Sequence, residues 1–163
     1  MFQLTPNDWN TLPVLGTVVV PAEWIDFMGH MNVMWYTHLF GKGVLEFFQL
    51  VGLTQEYFSM HNTGCFVLEQ HIRYLAEVRV GETVSLRVRA LSRAEKRLHF
   101  IVFMIKEDNQ IMAATSEIIT AHIDMSRRRT SPFPEVISMA IDRTLASHSQ
   151  LTWAAPANGL MHA

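Results

Sequence analysis

The stretch Pro21-Ala22-Glu23-Trp24-Ile25-Asp26-Phe27-Met28-Gly29-His30-Met31-Asn32-Val33-Met34-Trp35-Tyr36 constrains this chain more than any other. Before it, Val14 to Val20 is rich in β-branched residues and is stopped by Pro21, which reads as a strand. After it, from Asn32 to Val51, the side chains Trp35, Leu39, Phe40, Val44, Leu45, Phe47, Phe48 and Val51 cover most of a helix surface. A helix so apolar on nearly all sides belongs in the middle of a domain. Gly41 and Gly43 each cost the helix roughly 1 kcal/mol relative to Ala. Their expected use is to let the helix lie close to a sheet, and Gly52 is a good stop. Strand, Gly-containing turn and helix in that order set one carboxylate, Asp26, beside the free N–H groups of a helix start.

The rest of the chain is mostly β. Thr54 to Met60 predicts a short second helix with Thr54 as its cap. Cys65 to Glu77, Thr83 to Arg93, Leu98 to Glu107 and Ile111 to Asp124 predict four strands. The first two should join as a hairpin near Val80-Gly81-Glu82, and the last two near Asp108-Asn109. In the second strand Val84, Leu86, Val88 and Ala90 alternate with Ser85, Arg87 and Arg89, the pattern of one-sided burial. The third, Phe100 to Ile105, is apolar on both faces and should lie centrally or at an interface. Ser126 to Pro134 reads as a basic, Pro-containing loop and Glu135 to Ala146 as a surface helix. Residues 1–13 read as an arm, 14–146 as one domain and 147–163 as a loose tail. The fold class is α+β, with one antiparallel sheet wrapped around a long central helix.

Composition removes several functions. A length of 163 residues predicts one domain. With 49% hydrophobic residues and a mean hydropathy of +0.13, the chain has either a large core or an oligomer interface. No apolar run reaches a membrane span, and the N-terminus lacks the basic and apolar regions of a signal peptide. One cysteine, Cys65, permits no intrachain disulfide and fits a reducing cytoplasm. A net charge of -2 provides no field for nucleic acid. There is no Walker loop, no GxGxxG, no zinc-type Cys/His spacing and no G-x-S-x-G elbow.

Asp26 with the helix start is equipment for cleaving an acyl bond. A carboxylate there can activate water as a general base, or attack directly and form an anhydride. The backbone N–H groups of Asn32 and Val33 can stabilise an oxyanion. Each residue also has a plainer reading: Asp26 as a turn-forming side chain, Asn32 as a helix N-cap, His30 as a structural turn residue rather than a base. Gly29 fits a position that needs an unusual conformation or close approach.

With those residues in hand, the chain resembles the hotdog-fold acyl-CoA thioesterases, and within them the 4-hydroxybenzoyl-CoA thioesterase-like group. The resemblance runs from about Val14 to Asp124 and centres on Asp26-Phe27-Met28-Gly29-His30-Met31-Asn32 followed by Tyr36. Glu69-x-His71-x-x-Tyr74-Leu75-x-Glu77-Val78-Arg79, Lys96-Arg97-Leu98-His99 and Ser131-Pro132-Phe133-Pro134 further resemble the betainyl-CoA thioesterases of carnitine breakdown. The resemblance implies an acyl-CoA substrate, Asp26 as the catalytic carboxylate, no metal and no redox cofactor. It also implies a homodimer, or a homotetramer of dimers, with active sites at the dimer interface. A betainyl substrate would need aromatic faces for its trimethylammonium group, and Trp24, Phe27, Trp35 and Tyr36 are the candidates, with Glu69 to assist. Glu69 and His71 share one strand face, either lining the cleft or facing solvent. Arg127, Arg128 and Arg129 suit CoA phosphates, or form a solvated loop. Lys96-Arg97 has the same two readings, and Glu117 reads as an exposed strand carboxylate or as a group that positions water.

Two alternatives stand beside hydrolysis. Hotdog hydratases and dehydratases show an Asp-x-Asn-Pro-x-His type of pattern, whereas here Asn32 is followed by Val33 and the His precedes the Asn. A non-catalytic acyl-CoA-binding hotdog sensor would carry a DNA-binding segment, for which no basic arm is present before Val14.

Overall fold

A computed structural model describes residues 4–163; the first three residues of the expected arm lie outside the described residues. In chain order the elements are α1 (Pro6–Trp9), β1 (Gly16–Val19), a 3-10 turn (Ala22–Trp24), α2 (Val33–Leu50), α3 (Gln55–His61), β2 (Thr63–Tyr74), β3 (Thr83–Arg93), β4 (Arg97–Lys106), β5 (Ile111–Asp124), β6 (Arg129–Thr130) and α4 (Glu135–Ser149). The sheet order is β1-β3-β4-β5-β2, with β6 paired to β5. β1 runs antiparallel to β3, with Gly16 opposite Leu86.

The expected hairpin between the strands that became β2 and β3 does not form. β4 and β5 are buried along nearly their whole length and take the centre, while β2, exposed from residue 66 to 71, lies beyond β5. The connection after β2 therefore crosses over instead of turning back. The Leu75 and Ala76 N–H groups still donate to the Ala113 carbonyl, and the Val78 carbonyl then accepts from the Met31 N–H at 2.7 Å. Val78 is fully buried at that crossing.

The chain divides into two compact units. The first takes in the chain up to Glu46, Ile72–Val88 and Val102–Ser116. Here α2 buries Tyr36, Leu39, Phe40 and Val44, but Val33, Met34 and Leu45 are more than half exposed. The helix is thus buried on one face, not on nearly all sides. The two glycines separate accordingly. A Cβ on Gly43 would sit 2.8 Å from Val102 Cγ1, whereas one on Gly41 would meet nothing within 4 Å. Gly41→Ala should stabilise the protein by about 1 kcal/mol through helix propensity. Gly43→Ala should give a net loss, since overpacking a full core costs about 1–3 kcal/mol. Urea unfolding of the two variants checks both signs.

Burial on β3 is not one-sided either. Ser85 and Arg87 are as buried as the apolar residues between them. The Arg87 guanidinium donates to the carbonyls of Trp9 (3.3 Å) and Leu12 (3.1 Å) and to Glu107 (3.3 Å), and Ser85 also bonds Glu107. Trp9 and Leu12 are themselves buried, so the expected arm covers the polar face of β3.

The second unit takes in Phe47–His71, Arg89–Ile101 and Glu117–Ala163. Its core groups Phe47, Phe48, Phe58 and Phe100. Thr54 caps α3 as expected, its hydroxyl accepting from the Tyr57 N–H at 3.1 Å. The segment expected to be loose after residue 147 is held at several points. Arg89 donates to the Trp153 carbonyl at 2.6 Å and lies 4.1 Å over that ring; Trp153 and Met161 are buried. Glu117, expected exposed, is 3% exposed. Its carboxylate accepts from His99 Nε2 at 2.8 Å and from the Asn158 N–H at 2.7 Å. Continuing the chain past α4 across β5 is what covers it.

Candidate active site

The turn after the 3-10 segment is built by glycine. The Gly29 N–H donates to the Asp26 carbonyl at 3.0 Å and the Asp26 N–H to the His30 carbonyl at 3.2 Å, with Ile25 bridged to Met31. Gly29 sits at φ +84°, a left-handed conformation that a side chain would strain.

That turn exposes both edges of the Asp26 carboxylate to polar partners. Oδ1 accepts from the Met28 N–H at 2.9 Å, the turn-forming bond foreseen for this side chain. Oδ2 accepts from Asn32 Nδ2 at 3.3 Å. Asn32 also caps α2, its Oδ1 accepting from the Met34 N–H at 3.0 Å. One amide side chain therefore ties the carboxylate to the helix start.

The two backbone donors foreseen at the helix start are not equivalent. The Asn32 N–H donates to the Trp24 carbonyl at 2.9 Å, which removes it as an oxyanion donor. The Val33 N–H has no hydrogen bond to any described residue. Asp26, His30, Asn32 and Val33 line one cavity of about 430 Å³ with Tyr36, Tyr74 and Glu77. A carboxylate and an unengaged amide brought by residues of one cavity can deliver a nucleophile to a carbonyl and receive the charge that forms on its oxygen.

A model of the Thioesterase-like superfamily matches residues 20–141. The chain belongs to that superfamily. It is 30% identical, over 76% of its length, to an L-carnitine dehydrogenase/betainyl-CoA thioesterase of Agrobacterium fabrum, but spans only 25% of that longer relative. It is 27% identical to a betainyl-CoA thioesterase of Pseudomonas aeruginosa, over 86% of this chain and 87% of that one. Among solved structures, a Staphylococcus aureus protein in complex with CoA is 28% identical, with a TM-score of 0.81 over 93% of this chain and 94% of that one. A 1,4-dihydroxy-2-naphthoyl-CoA thioesterase from Synechocystis is 12% identical, with a TM-score of 0.69 over 78% of this chain and 93% of its own, a likeness of fold alone. The fold is the hotdog fold.

In this thioesterase-like chain the other expected site residues are scattered. Trp24 stacks on Trp35, centroids 4.5 Å apart and planes 13° apart, and His38 packs edge-on against both rings. Neither tryptophan lines the cavity; Trp24 is buried and Trp35 half-buried beside the exposed His38. Phe27 is 97% exposed at the turn tip and is not in the lining. Of the four aromatic candidates only Tyr36 reaches the cavity. Glu69 and His71 are exposed on β2 in the second unit, while the cavity lies within the first. Arg127 and Arg129 line a separate polar cavity of the second unit with Lys96, Thr130 and Ser131. Arg128 turns away at φ +50° and lies 5.9 Å over Phe66.

Tyr74 and Glu77 also line the cavity, and the sequence gives no sign of it. Both fall at the end of β2 and in the crossover, and reading that stretch as a hairpin hides their return to the turn. Tyr74 meets Tyr36 edge-to-face, centroids 5.1 Å apart at 89°, and the Tyr36 hydroxyl donates to the Ala76 carbonyl at 3.5 Å. Burial holds both phenols above their ordinary pKa, so the rings stay neutral.

Proposed function

We propose that this protein hydrolyses acyl-CoA thioesters. The observation that carries this reading is that Asp26, which bears the carboxylate, and Val33, whose N–H is unengaged among the described residues, line the same cavity. A thioester carbonyl is electrophilic and its thiolate leaves readily, so activating the nucleophile and holding the oxyanion are the main requirements. Asp26 meets the first, by taking a proton from water or by attacking the carbonyl carbon to form a mixed anhydride that water then opens. The Val33 N–H meets the second. Asn32 positions the carboxylate, and His30 supports the turn through its carbonyl. Its similarity to betainyl-CoA thioesterases favours a betainyl acyl group.

The catalytic domain in this reading is residues 14–146, which contain the superfamily match. CoA phosphates are assigned to Arg127 and Arg129 with Lys96, whose cavity gathers three cations. We assign the protein to the cytoplasm; among the described residues no helix is long and apolar enough to cross a membrane. A homodimer or homotetramer fits the exposed β2, where Phe66, Val67 and Leu68 are 39%, 52% and 50% exposed.

The test is release of free CoA from betainyl-, acetyl-, butyryl- and benzoyl-CoA, read with a thiol reagent. Burial pushes the Cys65 thiol up to about 12, so the protein's own cysteine should stay silent in that assay. Release fastest from betainyl-CoA is the expected result. Release from the neutral esters alone retains the enzyme class and removes betaine as the acyl group. No release from any ester favours a binding protein.

A further inference from the structure

The cavity beside Asp26 has a one-sided chemistry. Two acidic residues, Asp26 and Glu77, and two tyrosines, Tyr36 and Tyr74, line it with His30, but no lysine or arginine does. The rings stand edge-to-face, centroids 5.1 Å apart at 89°, so two π surfaces meet at a corner rather than covering one another. Tyr36 is buried, at 5% exposed, while Tyr74 is 50% exposed. A corner of electron-rich faces closed by a carboxylate suits a weakly hydrated cation and disfavours an anionic acyl group.

The cations nearest in the fold are already engaged. Arg79 pairs with Glu77 at 3.3 Å, but both side chains are well over half exposed and such a pair is weak. Lys106 is bound to the Glu82 carboxylate at 2.7 Å and to the Glu77 carbonyl at 3.0 Å. Glu77 Oε2 is the atom that meets Arg79, which leaves Oε1 without a partner among the described residues.

We infer that Tyr36, Tyr74 and Glu77 form the subsite for the quaternary ammonium head of the acyl group. The Trp24–Trp35 stack does not. This inference rests on the thioesterase reading above. It adds two specificity-determining residues, Tyr74 and Glu77, that neither the turn motif nor the names of the relatives supply. In this arrangement the trimethylammonium lies against the ring corner while the thioester carbonyl, one methylene away, reaches toward Asp26 and the Val33 N–H.

The deciding comparison is betainyl-CoA against 3,3-dimethylbutyryl-CoA, which has the same shape with a neutral carbon in place of the nitrogen. The wild type should prefer betainyl-CoA in kcat/KM. Tyr74→Leu should cut that preference by roughly 2- to 30-fold, the range of a cation–π contact. Tyr74→Phe, which keeps the ring, should retain it. Glu77→Gln, an isosteric change at an exposed position, should cut it and weaken its dependence on salt. A preference that survives both Tyr74→Leu and Glu77→Gln overturns the subsite and leaves the thioesterase reading standing. Equal rates on the two esters in the wild type do the same. Cleavage of neither ester overturns the thioesterase reading, and this inference with it.

Discussion

Asp26→Asn is expected to remove thioester hydrolysis while leaving the fold intact. The substitution keeps an oxygen for the Met28 N–H, which holds the turn at 2.9 Å. It deletes the charge needed either to take a proton from water or to attack the carbonyl. General base catalysis contributes about 10²–10⁴-fold, so the rate of CoA release should fall by that order. The Gly29 turn and the Asn32 cap do not depend on the charge, so thermal unfolding should move little. CoA release and an unfolding curve on the same preparation separate lost chemistry from lost structure. A variant that folds and turns over at the wild-type rate would show that Asp26 is only a turn residue.

The largest expected loss of stability lies elsewhere, at Glu117. Its carboxylate is 3% exposed and serves two donors, His99 Nε2 and the Asn158 N–H. Glu117→Ala would leave both without an acceptor in a buried position. An unsatisfied buried donor costs about 1–3 kcal/mol, so two cost about 2–6 kcal/mol. For a protein of this size that lowers Tm by roughly 4–24 °C. Glu117→Gln keeps an acceptor and should lose much less. The alanine variant should also release the segment around Asn158 to proteolysis before global unfolding, which limited digestion would detect. Full stability of Glu117→Ala would mean that the chain after α4 is held by its other contacts, such as Arg89 on Trp153 and the buried Met161.

These two residues also mark where the sequence was informative and where it was silent. The turn around Asp26 was legible because all its determinants are local: a glycine that can take a positive φ, an Asx side chain, and a cap six residues on. The long helix was legible, but its single buried face was not. Leu45 and Phe47 look alike in a sequence, and only the sheet decides that the first is exposed and the second buried. Glu117 was misread for the same reason, since its cover comes from Asn158, far away in the chain. The largest miss was the partner of β2. Eight residues between two strands permit a hairpin, and only the burial of β4 and β5 on both faces shows that β2 must lie on the far edge. Tyr74 and Glu77 lie at that crossover, so their return to the turn depends on the sheet order and leaves no local signature.

The strand order also sets a timetable for assembly. β3, β4 and β5 follow one another both along the chain and across the sheet, so each new pairing closes only a short loop and loses little entropy. β1 must instead find β3 across the whole of α2, α3 and β2, as when Gly16 comes to lie opposite Leu86. β2 must find β5 across the two strands between them. The outer strands are therefore the costly late steps, and the residues of the cavity hang from them: Asp26 just after β1, Tyr74 and Glu77 at the end of β2. A partly folded chain can have a finished central meander and still lack any cavity, so slow refolding should return secondary structure before it returns activity.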